Sequence, residues 1–226
     1  MATLTADGRR ASTTDGSPRY RRFRPRLARH GLRSGFDIDA LVDRLDLAIV
    51  YEPIAPERGQ RVAAELLPDE RRIRLNVDLE SLLETNAGFY LFTVAHELGH
   101  WDLHCAAVRS EAGVLFGDNS RVACRRLVFG RDTPPTAILN AGEAQREHQA
   151  HLYASYLLAP TDVFRAVLRV TGCDGWAATY DLAERLGLSP EATVVRLTEE
   201  GLGHRDDAGV PRAGQKPIPG QQSMGW

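Results

Sequence analysis

Two histidines and a glutamate at a fixed spacing are the residues of this chain best suited to chemistry. His96, Glu97 and His100 form the pattern H-E-x-x-H. On a helix the two histidines lie one turn apart, about 6 Å along the axis, so both imidazoles can reach one Zn²⁺ ion. Glu97 lies beside that face, where it can take a proton from the attacking water without being a ligand. The pattern therefore predicts a zinc hydrolase.

A catalytic zinc site uses three protein ligands and keeps one position open, so a third ligand is needed. His104 follows His100 by four residues. On a continuous helix, however, it would lie about 12 Å along the axis from His96, which is too far for one ion with bonds of about 2 Å. We therefore expect His104 to lie behind the ligands or to be a packed imidazole.

Glu147 is the better candidate for the third ligand. Ala150 and Ala154 follow it at positions i+3 and i+7 and make a stripe of small residues on one helix face. This stripe can pack closely on Gly99 and bring the Glu147 carboxylate to the metal. The predicted ligands are thus His96, His100 and Glu147. The alternatives for the third ligand are Glu143, His148 and His151.

Amide hydrolysis also needs a group that stabilises the oxyanion of the transition state. Three tyrosines could supply a hydroxyl for this purpose, and two histidines near the expected metal are further candidates for an oxyanion or supporting role. The spacing does not rank them. They are Tyr90, Tyr153, Tyr156, His104 and His151.

The elements that must position these residues predict an α+β, zincin-like fold. Short strand-like runs precede the H-E-x-x-H helix and indicate a small antiparallel sheet, while the C-terminal half is helical throughout. Strands are predicted at 47–51, 61–66 and 71–76. Helices are predicted at 37–45, 79–84, 88–105, 141–158, 161–170, 177–186 and from Ser189 onward.

The chain divides into one domain and two tails. Residues 1–34 carry nine Arg and only two Asp, and they predict a disordered basic tail. The metallopeptidase-like domain is expected over 35–202, with an insertion at 106–141 and a helical subdomain at 161–202. Residues 203–226 are rich in Gly, Pro and Gln and predict a second disordered tail.

Composition argues against several other classes of protein. The formal net charge of -2 gives no overall attraction to nucleic acid or to a membrane surface. No apolar run approaches the roughly 18 residues of a membrane span. Three Cys without metal-site spacing favour a reducing cytoplasm. The helix-turn-helix-like spacing from Asp181 to Glu200 carries acidic residues that oppose phosphate contact, so we expect a helical hairpin packed on the core instead.

Two blocks of the sequence resemble the ImmA/IrrE family of bacterial metallopeptidases. The first is F-T-x-A-H-E-L-G-H-x-x-L-H from Phe92 to His104, and the second is E-x-x-A-x-x-Y-A-x-x-L-L-x-P from Glu147 to Pro160. The resemblance covers roughly residues 36–202. It implies a zinc-dependent endopeptidase that cleaves a helix-turn-helix transcriptional repressor. The alternative is a non-cleaving protein of the same fold that sequesters its partner, although an intact Glu97 favours hydrolysis.

Overall fold

The computed structural model describes Leu27 and residues 37–57, 61–105, 127–128 and 141–216. The predicted α+β class with a helical C-terminal half is confirmed. Apart from Leu27, the predicted N-terminal tail lies outside the described residues, as do most of the 106–141 insertion and residues 217–226. Within the described part of the chain, no helix combines the length and apolarity needed to cross a membrane.

A three-stranded sheet lies beside the H-E-x-x-H helix. Its strands are β1 (Ala48–Glu52), β3 (Ala64–Leu67) and β4 (Arg72–Asn76), in the order β1-β4-β3. The pairing of β3 with β4 is antiparallel, as predicted, but β1 pairs with β4 in parallel, so the sheet is mixed. The parallel pair arises because the chain passes through β3 between β1 and β4, which returns β4 to the direction of β1. A separate pair joins β2 (Arg61–Val62) to β5 (Leu127–Val128) in antiparallel fashion.

Two of the N-terminal helices begin at a polar residue whose side chain accepts hydrogen bonds from free backbone N–H groups. Asp37 accepts hydrogen bonds from the first turn of α1 (Ile38–Arg44). After α2 (Glu80–Thr85), Asn86 accepts a hydrogen bond from the backbone N–H of Phe89 at the start of α3 (Ala87–His100). The chain then continues through one π-helical turn, Trp101–Cys105. All of α3 from Phe92 to His100 is buried.

Four helices form the C-terminal half: α4 (Ala141–Leu158), α5 (Thr161–Thr171), α6 (Gly175–Leu186) and α7 (Pro190–Glu199). Gly187 adopts the left-handed conformation at φ 64°, which ends α6, and Ser189 caps α7. The buried face of α7 packs against α4. The expected helical hairpin packed on the core is therefore confirmed.

The predicted disorder from Gly203 onward is wrong for residues 203–216. These residues include the antiparallel hairpin of β6 (Gly203–Arg205) and β7 (Pro211–Ala213). Gly203 is needed there because a Cβ would lie 2.9 Å from the carbonyl oxygen of Arg212. Asp206 closes the turn by accepting hydrogen bonds from the backbone N–H groups of Ala208 and Val210. Composition alone could not distinguish a glycine used for close packing from one in a tail.

Candidate metal centre

Helices α3 and α4 meet at Gly99. A Cβ at this position would lie 3.0 Å from both the Cα and the carbonyl oxygen of Ala150, and 3.3 Å from the Cβ of Tyr153. Ala150 and Ala154 are themselves fully buried. The predicted contact between Gly99 and the small-residue stripe of α4 is thus confirmed. The close approach of the two backbones brings Glu147 to the histidines of α3.

Three side-chain donor atoms converge at this helix crossing. The Nε2 atoms of His96 and His100 lie 3.1 Å apart. One carboxylate oxygen of Glu147 lies 3.0 Å from Nε2 of His96, and the other lies 3.4 Å from Nε2 of His100. Each residue offers one ligand atom, and all three lie within 4.8 Å of one another. The three residues therefore form a group that can hold a metal ion.

The donor set and its spacing fit a tetrahedral zinc ion. Zinc bonds to imidazole nitrogen and carboxylate oxygen are about 2.0–2.2 Å long, so two ligand atoms of a tetrahedral site lie about 3.3 Å apart. The two Nε2 atoms lie 3.1 Å apart, and the nearer Glu147 oxygen lies 3.0 Å from Nε2 of His96, so both separations are close to this value. Two imidazoles and one carboxylate also leave the fourth position for water or substrate, as a catalytic site requires.

The protonation state of Glu147 suits a metal ligand. Burial raises the pKa of this carboxyl, but hydrogen bonds to His100 and His96 and the charge of the two imidazoles outweigh burial and bring the pKa far below its usual value. The group is therefore a carboxylate, the form that binds a cation. Its side chain is 22% exposed, whereas His96 and His100 are buried, so solvent approaches the centre from the Glu147 side.

Glu97 lies on the α3 turn that carries both histidines and is fully buried. It is absent from the group of possible metal ligands among the described residues. Its position next to His96 in the sequence, on a helix that is buried along its whole length from Phe92, is the one expected of a base that acts beside a metal. The role of Glu97 as the base remains a prediction of the motif.

His104 contacts a ligand histidine without joining the ligand group. Its Nδ1 atom lies 3.0 Å from Nδ1 of His100, and its Nε2 atom lies 3.2 Å from Oε1 of Gln149. Burial, and after it the charge of neighbouring His100, lower the pKa of His104 to about 4. His104 is therefore a neutral imidazole that contacts His100, and it lies outside the ligand group, as the sequence predicts.

The three alternative third ligands lie elsewhere. His151 packs its ring against Phe92 at 4.8 Å between centroids, and its centroid is 6.3 Å from that of His96. His148 has its Nε2 atom 3.7 Å from a carboxylate oxygen of Glu199. Glu143 is half-buried one turn before Glu147. Within the described part of the chain, only Glu147 joins the two histidines of α3 in the ligand group.

The tyrosines predicted as oxyanion candidates have other partners. Tyr153 donates its hydroxyl to the Asp102 carboxylate on the π-helical turn. Tyr90 donates to Asp39 at 2.5 Å and so joins α3 to α1. The ring of Tyr156 lies under a guanidinium, with the Cζ atom of Arg196 3.5 Å from the ring centroid. None of these contacts directs a hydroxyl to the three ligand atoms.

Sequence reasoning missed two residues near this centre. The side-chain oxygen of Gln149 contacts Nε2 of His104, and the Asp102 carboxylate accepts a hydrogen bond from the Tyr153 hydroxyl. Gln149 is two residues beyond Glu147, and Asp102 is two residues beyond His100. Both could have been found by asking which polar side chains flank the predicted ligands in sequence and how each would satisfy its hydrogen-bonding groups.

Comparisons with known proteins find a distant structural similarity. No family model matches the chain, and no curated protein matches it. Among solved structures, a transcriptional regulator of Mycobacterium tuberculosis is similar, with a TM-score of 0.48 and 17% sequence identity. The alignment covers 88% of this chain and 56% of the regulator, so the chain spans little more than half the length of that protein.

Proposed function

We propose that this protein is a zinc-dependent endopeptidase of the ImmA/IrrE type. The observation that carries the proposal is the convergence of His96 and His100 of α3 with Glu147 of α4 into one group of donor atoms. Glu97 lies on the same turn of α3 as the two histidines. A bound zinc ion would polarise a scissile carbonyl and acidify water. The proposed substrate is a protein, and the resemblance of the two sequence blocks favours a helix-turn-helix transcriptional repressor.

The residues of the chain divide the work between binding and proton transfer. The two imidazoles would hold the ion through the converging Nε2 atoms, and Glu147 would supply the single negative charge of the ligand set. Glu97 accepts a proton from the attacking water and then delivers it to the leaving amine. Burial of Glu97 and both histidines keeps bulk water away from this transfer and strengthens the electrostatic interactions involved.

Replacement of the base tests the proposal. Zinc-loaded Glu97→Gln should bind as much zinc as wild type, because Glu97 is not a ligand. Its rate of cleavage should fall by about 10²–10⁴-fold, because no group remains to take the proton. The assay incubates each protein with a purified helix-turn-helix repressor from the same genome and maps the products by mass spectrometry. Glu84→Gln is the matched control, since it makes the same chemical change at an exposed position of α2.

Two results would contradict the proposal in different ways. Undiminished cleavage by zinc-loaded Glu97→Gln would exclude Glu97 as the base. A wild-type protein that forms a stable complex with the repressor and leaves it intact would favour the sequestering protein over the peptidase.

A further inference from the structure

A chain of polar contacts leads from the predicted metal ligand His100 away from the metal position. The Nδ1 atom of His100 lies 3.0 Å from Nδ1 of His104. The Nε2 atom of His104 then lies 3.2 Å from the amide oxygen Oε1 of Gln149 on α4. Gln149 follows Glu147 by two residues on α4, so this series of polar contacts connects the two helices that supply the ligands.

The chemistry of the metal centre assigns one direction to every hydrogen bond in this chain. His100 presents Nε2 to the other donor atoms, so a metal ion needs the lone pair of that nitrogen. A neutral imidazole that binds through Nε2 carries its hydrogen on Nδ1. His100 must therefore donate from Nδ1 to Nδ1 of His104, and His104 must accept there.

The remaining contact agrees with that assignment. An imidazole that accepts at Nδ1 and is neutral carries its hydrogen on Nε2. The Nε2 atom of His104 faces Oε1 of Gln149, an amide oxygen that can only accept. His100 thus donates to His104, and His104 donates to the Gln149 oxygen, which accepts. Each atom has a single role, as a donor or as an acceptor.

The local backbone explains how His104 reaches this place. The regular α3 ends at His100, and the next five residues form a π-helical turn. Such wide turns often occur at functional sites because they shift the side chains that follow them. The hydrogen bond from Tyr153 to Asp102 is a further contact between this turn and α4.

We propose that His104 and Gln149 are positioning residues of the metal centre. They hold His100 in the tautomer that leaves Nε2 free to bind, and they fix the orientation of its ring. The inference rests on the proposed function, because it assumes that the ligand group binds zinc. Partners of this kind behind ligand histidines typically contribute 10–100-fold to metal affinity.

Two substitutions at His104 separate a hydrogen-bonding role from simple packing. His104→Asn places an amide oxygen about where Nδ1 stands, so it can still accept from His100. His104→Leu fills similar space with no acceptor. Zinc affinity, measured by competition with a chromogenic chelator, should fall by about 10–100-fold for the Leu variant and remain close to wild type for the Asn variant. Circular dichroism checks that both variants are folded.

A substitution at the far end and a control complete the series. Gln149→Met keeps the length of the side chain but removes the acceptor for His104, and the residue is only half-buried, so the fold should tolerate it. The zinc affinity of Gln149→Met should be lower than that of wild type, as for His104→Leu. His148→Asn is the control, since His148 lies next to Glu147 in sequence but close to Glu199 instead of the ligands.

Nitrogen-15 NMR of histidine-labelled, zinc-loaded protein provides a readout independent of affinity. The proposal predicts that His104 carries its hydrogen on Nε2 and that its Nδ1 is unprotonated. A hydrogen on Nδ1 of His104 would overturn the proposal. So would equal zinc affinity in His104→Leu and wild type, or equal losses in folded Leu and Asn variants. In these cases the proposal that the ligand group binds zinc would remain valid. A wild-type protein that binds no zinc would instead contradict both the zinc site and the positioning role of His104 and Gln149.

Discussion

At the scale of single residues, the chain brings together side chains that lie 51 positions apart in sequence. Nε2 of His96 and a carboxylate oxygen of Glu147 are separated by 3.0 Å. The histidine pair could be predicted because its spacing is a local property of a helix. The role of each tyrosine could not be predicted, because the direction of its hydroxyl depends on residues that are distant in sequence, such as Asp102 for Tyr153.

A substitution at Tyr153 tests whether its hydroxyl stabilises the fold or takes part in catalysis. Tyr153→Phe removes a hydrogen bond to the Asp102 carboxylate, and such bonds to charged groups contribute about 1.5–3 kcal/mol. The free energy of unfolding, measured with urea, should fall by that amount, while zinc binding and the rate of cleavage should stay near wild type. Tyr180→Phe is the control, because Tyr180 is 56% exposed. A large loss of cleavage in a stable, zinc-loaded Tyr153→Phe protein would restore Tyr153 as an oxyanion candidate.

At the scale of elements, the contact between α3 and α4 determines whether the site forms. The stripe of small residues after Glu147 made this contact predictable, since only small side chains allow two helix backbones to approach so closely. The parallel pairing of β1 with β4 was not predictable in the same way. Strand pairing depends on the path of the chain between strands, and an alternating pattern within one strand carries no information about that path.

Two glycines of α3 should respond in opposite directions to the same substitution. Gly99→Ala forces a Cβ to within 3.0 Å of the Ala150 backbone, so it should lower the free energy of unfolding by about 1–3 kcal/mol and weaken zinc binding as Glu147 moves away. Gly88→Ala meets no atom closer than 3.6 Å. It should leave zinc binding unchanged and raise stability by up to about 1 kcal/mol through helix propensity. Thermal and urea unfolding of both variants check the signs, and a stabilised Gly99→Ala that keeps its zinc would refute the close contact.

At the scale of the whole molecule, a buried ion pair joins three helices of the C-terminal half. The side chains of Arg196 and Glu200 are fully buried and lie 2.6 Å apart. Arg196 also contacts Thr161 of α5 and lies over the ring of Tyr156 of α4. The sequence could not reveal this burial, because the i, i+4 spacing of the pair is the same whether the helix face is exposed or buried.

Removal of one partner from the Arg196–Glu200 pair should lower the free energy of unfolding substantially. Glu200→Ala leaves the Arg196 guanidinium buried without its carboxylate, which typically costs about 3–5 kcal/mol. Arg185→Ala breaks an i, i+4 pair with Asp181 that is about half exposed, and the cost there should be about 0.3–0.5 kcal/mol. Urea unfolding of the two variants provides the comparison. Similar, small losses in both would mean that the Arg196 network does not stabilise the helical half.

The zinc content of Glu147→Ala is the measurement that tests the central claim most directly. Elemental analysis should find one zinc ion per wild-type chain and a large loss of zinc from Glu147→Ala, because two buried imidazoles remain without the carboxylate that completes the set. Glu143→Ala, one turn earlier on α4, should keep its zinc. A folded Glu147→Ala protein with one zinc ion per chain would contradict the assignment of Glu147 as the third ligand.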